Sequence, residues 1–102
     1  MTRLFSVYGD SISSFEGILP QGWRVFFEGE QLELTGVKTP HDTWWGQVID
    51  HFDGQFLANA SWSGCVVEGR DFPVGASAER IEHLQADGRT PDDILVHIGI
   101  ND

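Results

Sequence analysis

Three short segments of this chain set a small hydroxyl or amide side chain beside a glycine: Gly9-Asp10-Ser11, Asn59-Ala60-Ser61-Trp62-Ser63-Gly64 and Gly99-Ile100-Asn101-Asp102. A serine hydroxyl presented on a turn is a nucleophile in waiting, and backbone N–H groups together with an asparagine amide are donors for a developing negative oxygen. Acyl transfer needs that combination, because attack on an ester carbonyl gathers charge on one oxygen of a tetrahedral intermediate. Each preorganised donor to that oxygen commonly lowers the barrier by about 3–4 kcal/mol. In this scheme Ser11 is the nucleophile and offers its own N–H, while the Gly64 N–H and the Asn101 side chain complete the donor set. A glycine at 64 would let the backbone approach where a Cβ would obstruct it. Taken singly the segments are ordinary, since Gly-Asp-Ser is a common turn and Asn-Asp after glycine a common cap. Their placement in the fold decides whether they act together.

The elements that would position them are short. Apolar runs at Leu4 to Tyr8, Phe56 to Ala60 and Ile94 to Ile98 are too brief for helices and are bounded by turn residues, which is the pattern of strands buried on both faces. Residues 39–52 predict a helix capped by Asp42 or Thr43, with Trp44 or Trp45, Val48, Ile49 and Phe52 forming one apolar stripe. Residues 77–88 predict a second helix, capped by Ser77, with Ile81 and Leu84 facing inward and Gly88 as its stop. Residues 15–38 form a long connection whose WRVFFEGEQLEL core suggests a hairpin or an ordered loop. Strands alternating with helices predict an α/β domain with a parallel sheet covered on both sides, in three α/β/α layers of flavodoxin-like type. In such a sheet the residues after each strand collect along one edge, where open α/β sheets bind ligands. The three segments would then meet.

Composition narrows the alternatives. With 102 residues the chain is one small domain, and 40% apolar content with seven Phe and four Trp suffices for a packed core. Sixteen acidic against six basic residues give a net charge of −10, which repels phosphate backbones and anionic lipid surfaces, so nucleic acid is not an expected partner. Cys65 is the single cysteine, which rules out an intrachain disulfide; after a glycine in an apolar stretch it reads as a buried, unreactive thiol. No His, Cys or carboxylate spacing suggests a metal, and no Gly-x-Gly-x-x-Gly or Gly-Lys-Ser/Thr suggests a nucleotide, so no cofactor is expected. No basic-plus-apolar leader and no run of about 18 apolar residues occurs. A cytoplasmic protein without a membrane span is the expectation.

The segments VYGDSIS, NASWSG and VHIGIND resemble the first three sequence blocks of the SGNH hydrolases, also called the GDSL esterase and lipase family, the third matching the family's Gly-x-Asn-Asp. The resemblance spans the whole chain, with Ile12 standing where the family's four-letter name has leucine. It implies the SGNH hydrolase fold and a serine ester hydrolase working through an acyl-enzyme. It also implies Ser11 as nucleophile, Gly64 and Asn101 as oxyanion-hole donors beside the Ser11 amide, and Asp10 and Asp102 as supports of their loops. Trp62, two residues before Gly64, is the aromatic expected nearest a ligand. The implied substrate is a small ester, an acylated carbohydrate among the candidates.

One part of that machinery is missing. In the family the base and its orienting acid come from a late Asp-x-x-His block, and no Asp-x-x-His occurs in these residues. His97 falls inside the third strand, His51 and His83 on flanking helices, and His41 at the start of the first helix, the least implausible stand-in. The expectation is therefore the N-terminal half of the family fold, with three parallel strands and an incomplete C-terminus. The competing reading is a non-catalytic binding or assembly module that keeps the crevice without the base.

Overall fold

The computed structural model describes residues 2–69, 71–74 and 77–102. Three strands, β1 (Leu4–Gly9), β2 (Gln55–Asn59) and β3 (Asp93–His97), form one parallel sheet in the order β2-β1-β3. Among the described residues three α-helices lie between them: α1 (Glu30–Thr35), α2 (Trp44–His51) and α3 (Ala78–Glu82). Among the described residues no helix is long and apolar enough to cross a membrane.

β1 is the central strand, and its period-two alternation feeds two separate cores. Phe5 and Val7 point to one face, where they pack with Phe15, Phe27, Trp45 and Ile49. Tyr8 points to the other and clusters with Ala60 and Leu84, while the Ser6 hydroxyl donates to the Leu84 carbonyl at 2.7 Å. Those two faces are the three-layer arrangement expected. β1 registers with β2 from Leu4 opposite Gln55 to Val7 opposite Asn59, with a shift between Phe5 and Ser6, and with β3 from Phe5 opposite Asp93 to Gly9 opposite His97.

The structure departs from the expectations in four places. Within residues 1–102 β3 pairs with β1 alone, and its Ile94 and Val96 are exposed where burial on both faces was expected. Phe52 also ends outside the core; α2 stops at His51, and the buried stripe is Trp45, Gly46 and Ile49. The second expected helix is shorter than residues 77–88: α3 ends at Glu82, well before Gly88, and its inward residue is Arg80 while Ile81 is exposed, because the buried stripe runs Ser77, Arg80, Leu84. Finally, residues 15–38 form no hairpin. The alternation in EQLELT is overruled by its borders: Gly36 caps α1 in the left-handed region at φ 80°, and Glu30 and Glu33 sit in the first turn, where the helix dipole favours acids.

Candidate functional site

The first block sits at the carboxyl end of β1. Gly9 is required by contact, since a Cβ there would lie 2.6 Å from the His97 carbonyl oxygen and 2.5 Å from Ser13 Oγ. β3 can run this close to β1 only past a glycine. Asp10 is wholly buried and caps a single turn of 3-10 helix, Ser11–Ser13, by accepting from the Ile12 N–H at 3.1 Å. Ser11, half-buried, is the first residue of that turn.

The turn is fastened from three sides. Trp45 Nε1 and Asn59 Nδ2 both donate to the Ser13 carbonyl, at 2.9 and 2.8 Å, and Trp44 Nε1 donates to Ser13 Oγ at 2.9 Å. Ser14 Oγ donates to the Ser11 carbonyl at 2.7 Å and accepts from the Phe26 N–H at 2.9 Å, which ties in the long 15–38 connection. α2 supplies these indoles because Thr43 starts it cleanly, its hydroxyl accepting from the Gly46 N–H at 3.0 Å.

The second block follows β2. Asn59 Oδ1 accepts from the Ser61 N–H at 2.9 Å, turning the chain, and the Trp62 N–H donates back across the sheet edge to the Gly9 carbonyl at 3.1 Å. Gly64 lies in the resulting turn at φ 86°, with no protein atom within 4 Å of the place a Cβ would occupy. Its left-handed backbone favours glycine, and the open space beside it leaves the backbone free to be approached. Among the described residues, no protein group accepts from the N–H of Ser11 or of Gly64.

The third block reaches the same turn. Asn101 Nδ2 donates to the carbonyl of Cys65, the residue after Gly64, at 2.9 Å. The Asp102 carboxylate accepts from the Val67 and Glu68 N–H groups at 3.0 and 3.1 Å. The segment from residue 62 to 68 thus links all three blocks, through Gly9 on one side and Asn101 and Asp102 on the other.

Trp62 is half-buried in an aromatic cluster. Its ring centroid is 5.7 Å from that of Trp23 and 4.9 Å from that of Phe72, in tilted and edge-on contacts. Trp23 belongs to the 15–38 connection, and the Ser63 N–H donates to the Arg24 carbonyl at 3.0 Å, so that connection walls one side of the turn.

None of the four histidines is hydrogen-bonded to Ser11 among the described residues. His41 Nδ1 pairs with Asp50 at 2.9 Å, and the pair lines a cavity with Ile18, Trp45 and Ile49. His83 holds the Glu79 carbonyl through Nδ1 at 2.7 Å, His51 packs edge-on against Phe52, and the His97 ring lies 5.8 Å from that of Trp44. Cys65 is buried, which pushes its thiol above the usual range, and the Arg80 charge pulls only partly the other way. It is a protonated packing residue. Among the described residues no group of three or more His, Cys, Asp or Glu could hold a metal.

Sequence reasoning missed Arg80, Asn59 and the two indoles of α2 as parts of this framework. The spacing Ser77, Arg80, Leu84 carried a signal for Arg80; Trp44 and Trp45 were legible as apolar residues but not as hydrogen-bond donors.

The model of the GDSL-like lipase/acylhydrolase family matches residues 3–102. A crystal structure from Bacteroides ovatus, of a protein assigned as a GDSL-like lipase, superposes with a TM-score of 0.75 at 25% identity, covering 100% of this chain and 50% of that one. The chain therefore spans about half the length of the structure it matches. No curated protein matches the chain. With the family model covering nearly every residue and the parallel sheet bringing its three blocks to one edge, the chain belongs to the GDSL-like lipase/acylhydrolase family.

Proposed function

We propose that these residues carry the nucleophile half of a serine ester hydrolase, with Ser11 attacking the ester carbonyl. The observation that supports this best is the cross-linking of the three strand ends through residues 62–68, which gathers a half-buried hydroxyl and uncommitted backbone N–H groups at one sheet edge. As Ser11 Oγ bonds to the carbonyl carbon, its proton passes to a base and the carbonyl electron pair moves onto oxygen. The N–H groups of Ser11 and Gly64 and the second N–H of the Asn101 amide would receive that oxyanion. Collapse expels the alcohol, which takes the proton back, and leaves an ester on Ser11. Water, deprotonated by the same base, then repeats the addition and releases the acid and the free hydroxyl.

The base lies outside residues 1–102 in this proposal. Support comes from the engagement of all four histidines elsewhere and from the twofold greater length of the matched structure. The substrate is a small ester whose acyl or sugar portion would lie against Trp62 and Trp23. Replacing Ser11 by Ala in the complete protein should lower hydrolysis of p-nitrophenyl acetate by at least about 10³-fold. Retention of parental activity would reject the nucleophile. An unchanged KM in Trp62→Ala across several esters would reject the aromatic subsite.

A second reading, a binding module without catalysis, is favoured by the lack of any base on Ser11 among the described residues. The two readings differ in a direct assay: rapid covalent labelling of Ser11 by a fluorophosphonate requires an activated hydroxyl, and its absence in the complete protein would favour the module.

A further inference from the structure

The side chain of Arg80 is wholly buried, yet its acceptors are carbonyl oxygens and a thiol. Nη2 donates to the Gly9 carbonyl at 2.6 Å and to the Ala60 carbonyl at 2.7 Å; Nε also reaches Ala60, at 3.2 Å. Nη1 donates to the Pro73 carbonyl at 3.1 Å and to Cys65 Sγ at 3.0 Å. The guanidinium lies over the Tyr8 ring, 4.6 Å from its centroid.

These acceptors sit at a specific place. The registered pairs of β1 and β2 end at Val7 opposite Asn59; beyond them the Ala60 and Trp62 N–H groups, donating to the Val7 and Gly9 carbonyls at 2.9 and 3.1 Å, link the two chains before they part toward Ser11 and Gly64. Gly9 and Ala60 are the first residues past or near that point, and one nitrogen of Arg80 holds both carbonyls. The other terminal nitrogen grips the far side of the turn that carries Gly64, through Cys65 and Pro73.

We infer that Arg80 is a positioning residue which fixes the separation of the Ser11 and Gly64 backbone N–H groups, and so sets the geometry of the oxyanion site; this rests on the serine hydrolase reading above. A guanidinium suits the task because its five N–H donors diverge in one rigid plane. A lysine ammonium offers a point charge and cannot reach all four acceptors at once. The side chain never touches substrate. It acts by keeping two strand ends from splaying.

Displacing a donor by a fraction of an ångström weakens transition-state binding more than ground-state binding. In the complete protein, Arg80→Lys and Arg80→Gln should therefore lower kcat by about 10- to 100-fold, with KM within about twofold. The Ki of phenylboronic acid, which adds to the serine oxygen as a tetrahedral anion, should rise by about the same factor as kcat/KM falls. Leu84→Ala, in the same layer, is the control for simple loosening of the core: it should lower Tm yet leave kcat and the boronate Ki near parental values. Parental kcat and boronate affinity in a folded Arg80 variant would overturn the inference, as would losses in all three variants that track Tm alone. Should Arg80→Gln fail to fold, Arg80→Lys decides by the same two readouts. Inactive Ser11→Ala with fully active Arg80→Lys would remove this inference and leave the hydrolase reading standing; fully active Ser11→Ala would remove both.

Discussion

At the carboxyl end of β1, Asn59, Ser13 and Arg80 are almost wholly out of solvent and spend their polar groups on the backbone of neighbouring segments, whereas at the carboxyl end of β3 the strand carries Ile94 and Val96 into solvent and Asn101 is held through one contact with Cys65. The Ser11–Ser13 turn is held by several hydrogen bonds from the chain's own residues, although Asp10 Oδ2 and Ser61 Oγ beside it have no protein partner. Within residues 1–102 the Asn101 side chain is held by a single hydrogen bond. Two donors of one proposed oxyanion site are thus set with different stiffness, and substitutions at the two ends should have very different effects.

The largest effect should come from Gly9→Ala, which forces a methyl group against the His97 carbonyl and Ser13 and so strains both ends together. We expect a loss of about 3 kcal/mol or outright misfolding, read from urea denaturation. Next is Asn59→Ala, confined to the buried end: Ser61 loses an acceptor and the Ser13 carbonyl one of its donors, for about 1–3 kcal/mol, with a matching fall in kcat. In residues 1–102 expressed alone, Val96→Thr at the exposed end should change stability by no more than about 0.5 kcal/mol. A larger loss there would show that the β3 face is not free, and the contrast between the ends would fail.

The smallest effects concern pH. Asp42 is held below the usual carboxylate range by the Thr39 and then the Lys38 backbone N–H, and Asp93 by the hydrogen bond from Arg3. The folded state binds these protons less readily than the unfolded chain, so their contribution is present above the ordinary carboxylate range and lost as pH falls through it to the lowered values. Burial raises the Cys65 thiol and the Tyr8 hydroxyl, so the folded state holds those protons more tightly and their contribution is lost as pH rises through the raised values. A urea midpoint that falls at both extremes, with the acid limb flattened in Asp42→Asn, is the expected profile.

The strands and the sheet edge were legible because a buried central strand is largely apolar and ends where the chain turns; β1 shows both properties, with Ser6 as its one polar residue before Gly9. The convergence of the three blocks was legible for the same reason, since each follows the end of a strand. What the sequence hid is of another kind. Arg80 reads as a surface residue because charge predicts exposure, and only tertiary carbonyls explain its burial. In EQLELT, a period of two in four residues was weaker than the glycine border that ends α1.

Whether Ser11 is the nucleophile of an ester hydrolase is best tested by reacting the complete protein with a fluorophosphonate and mapping the adduct by peptide mass. One adduct, on Ser11, forming with loss of esterase activity and absent from Ser11→Ala, is the predicted result. An adduct on a different residue with the same loss of activity, or esterase activity that persists when Ser11 is fully modified, would contradict it.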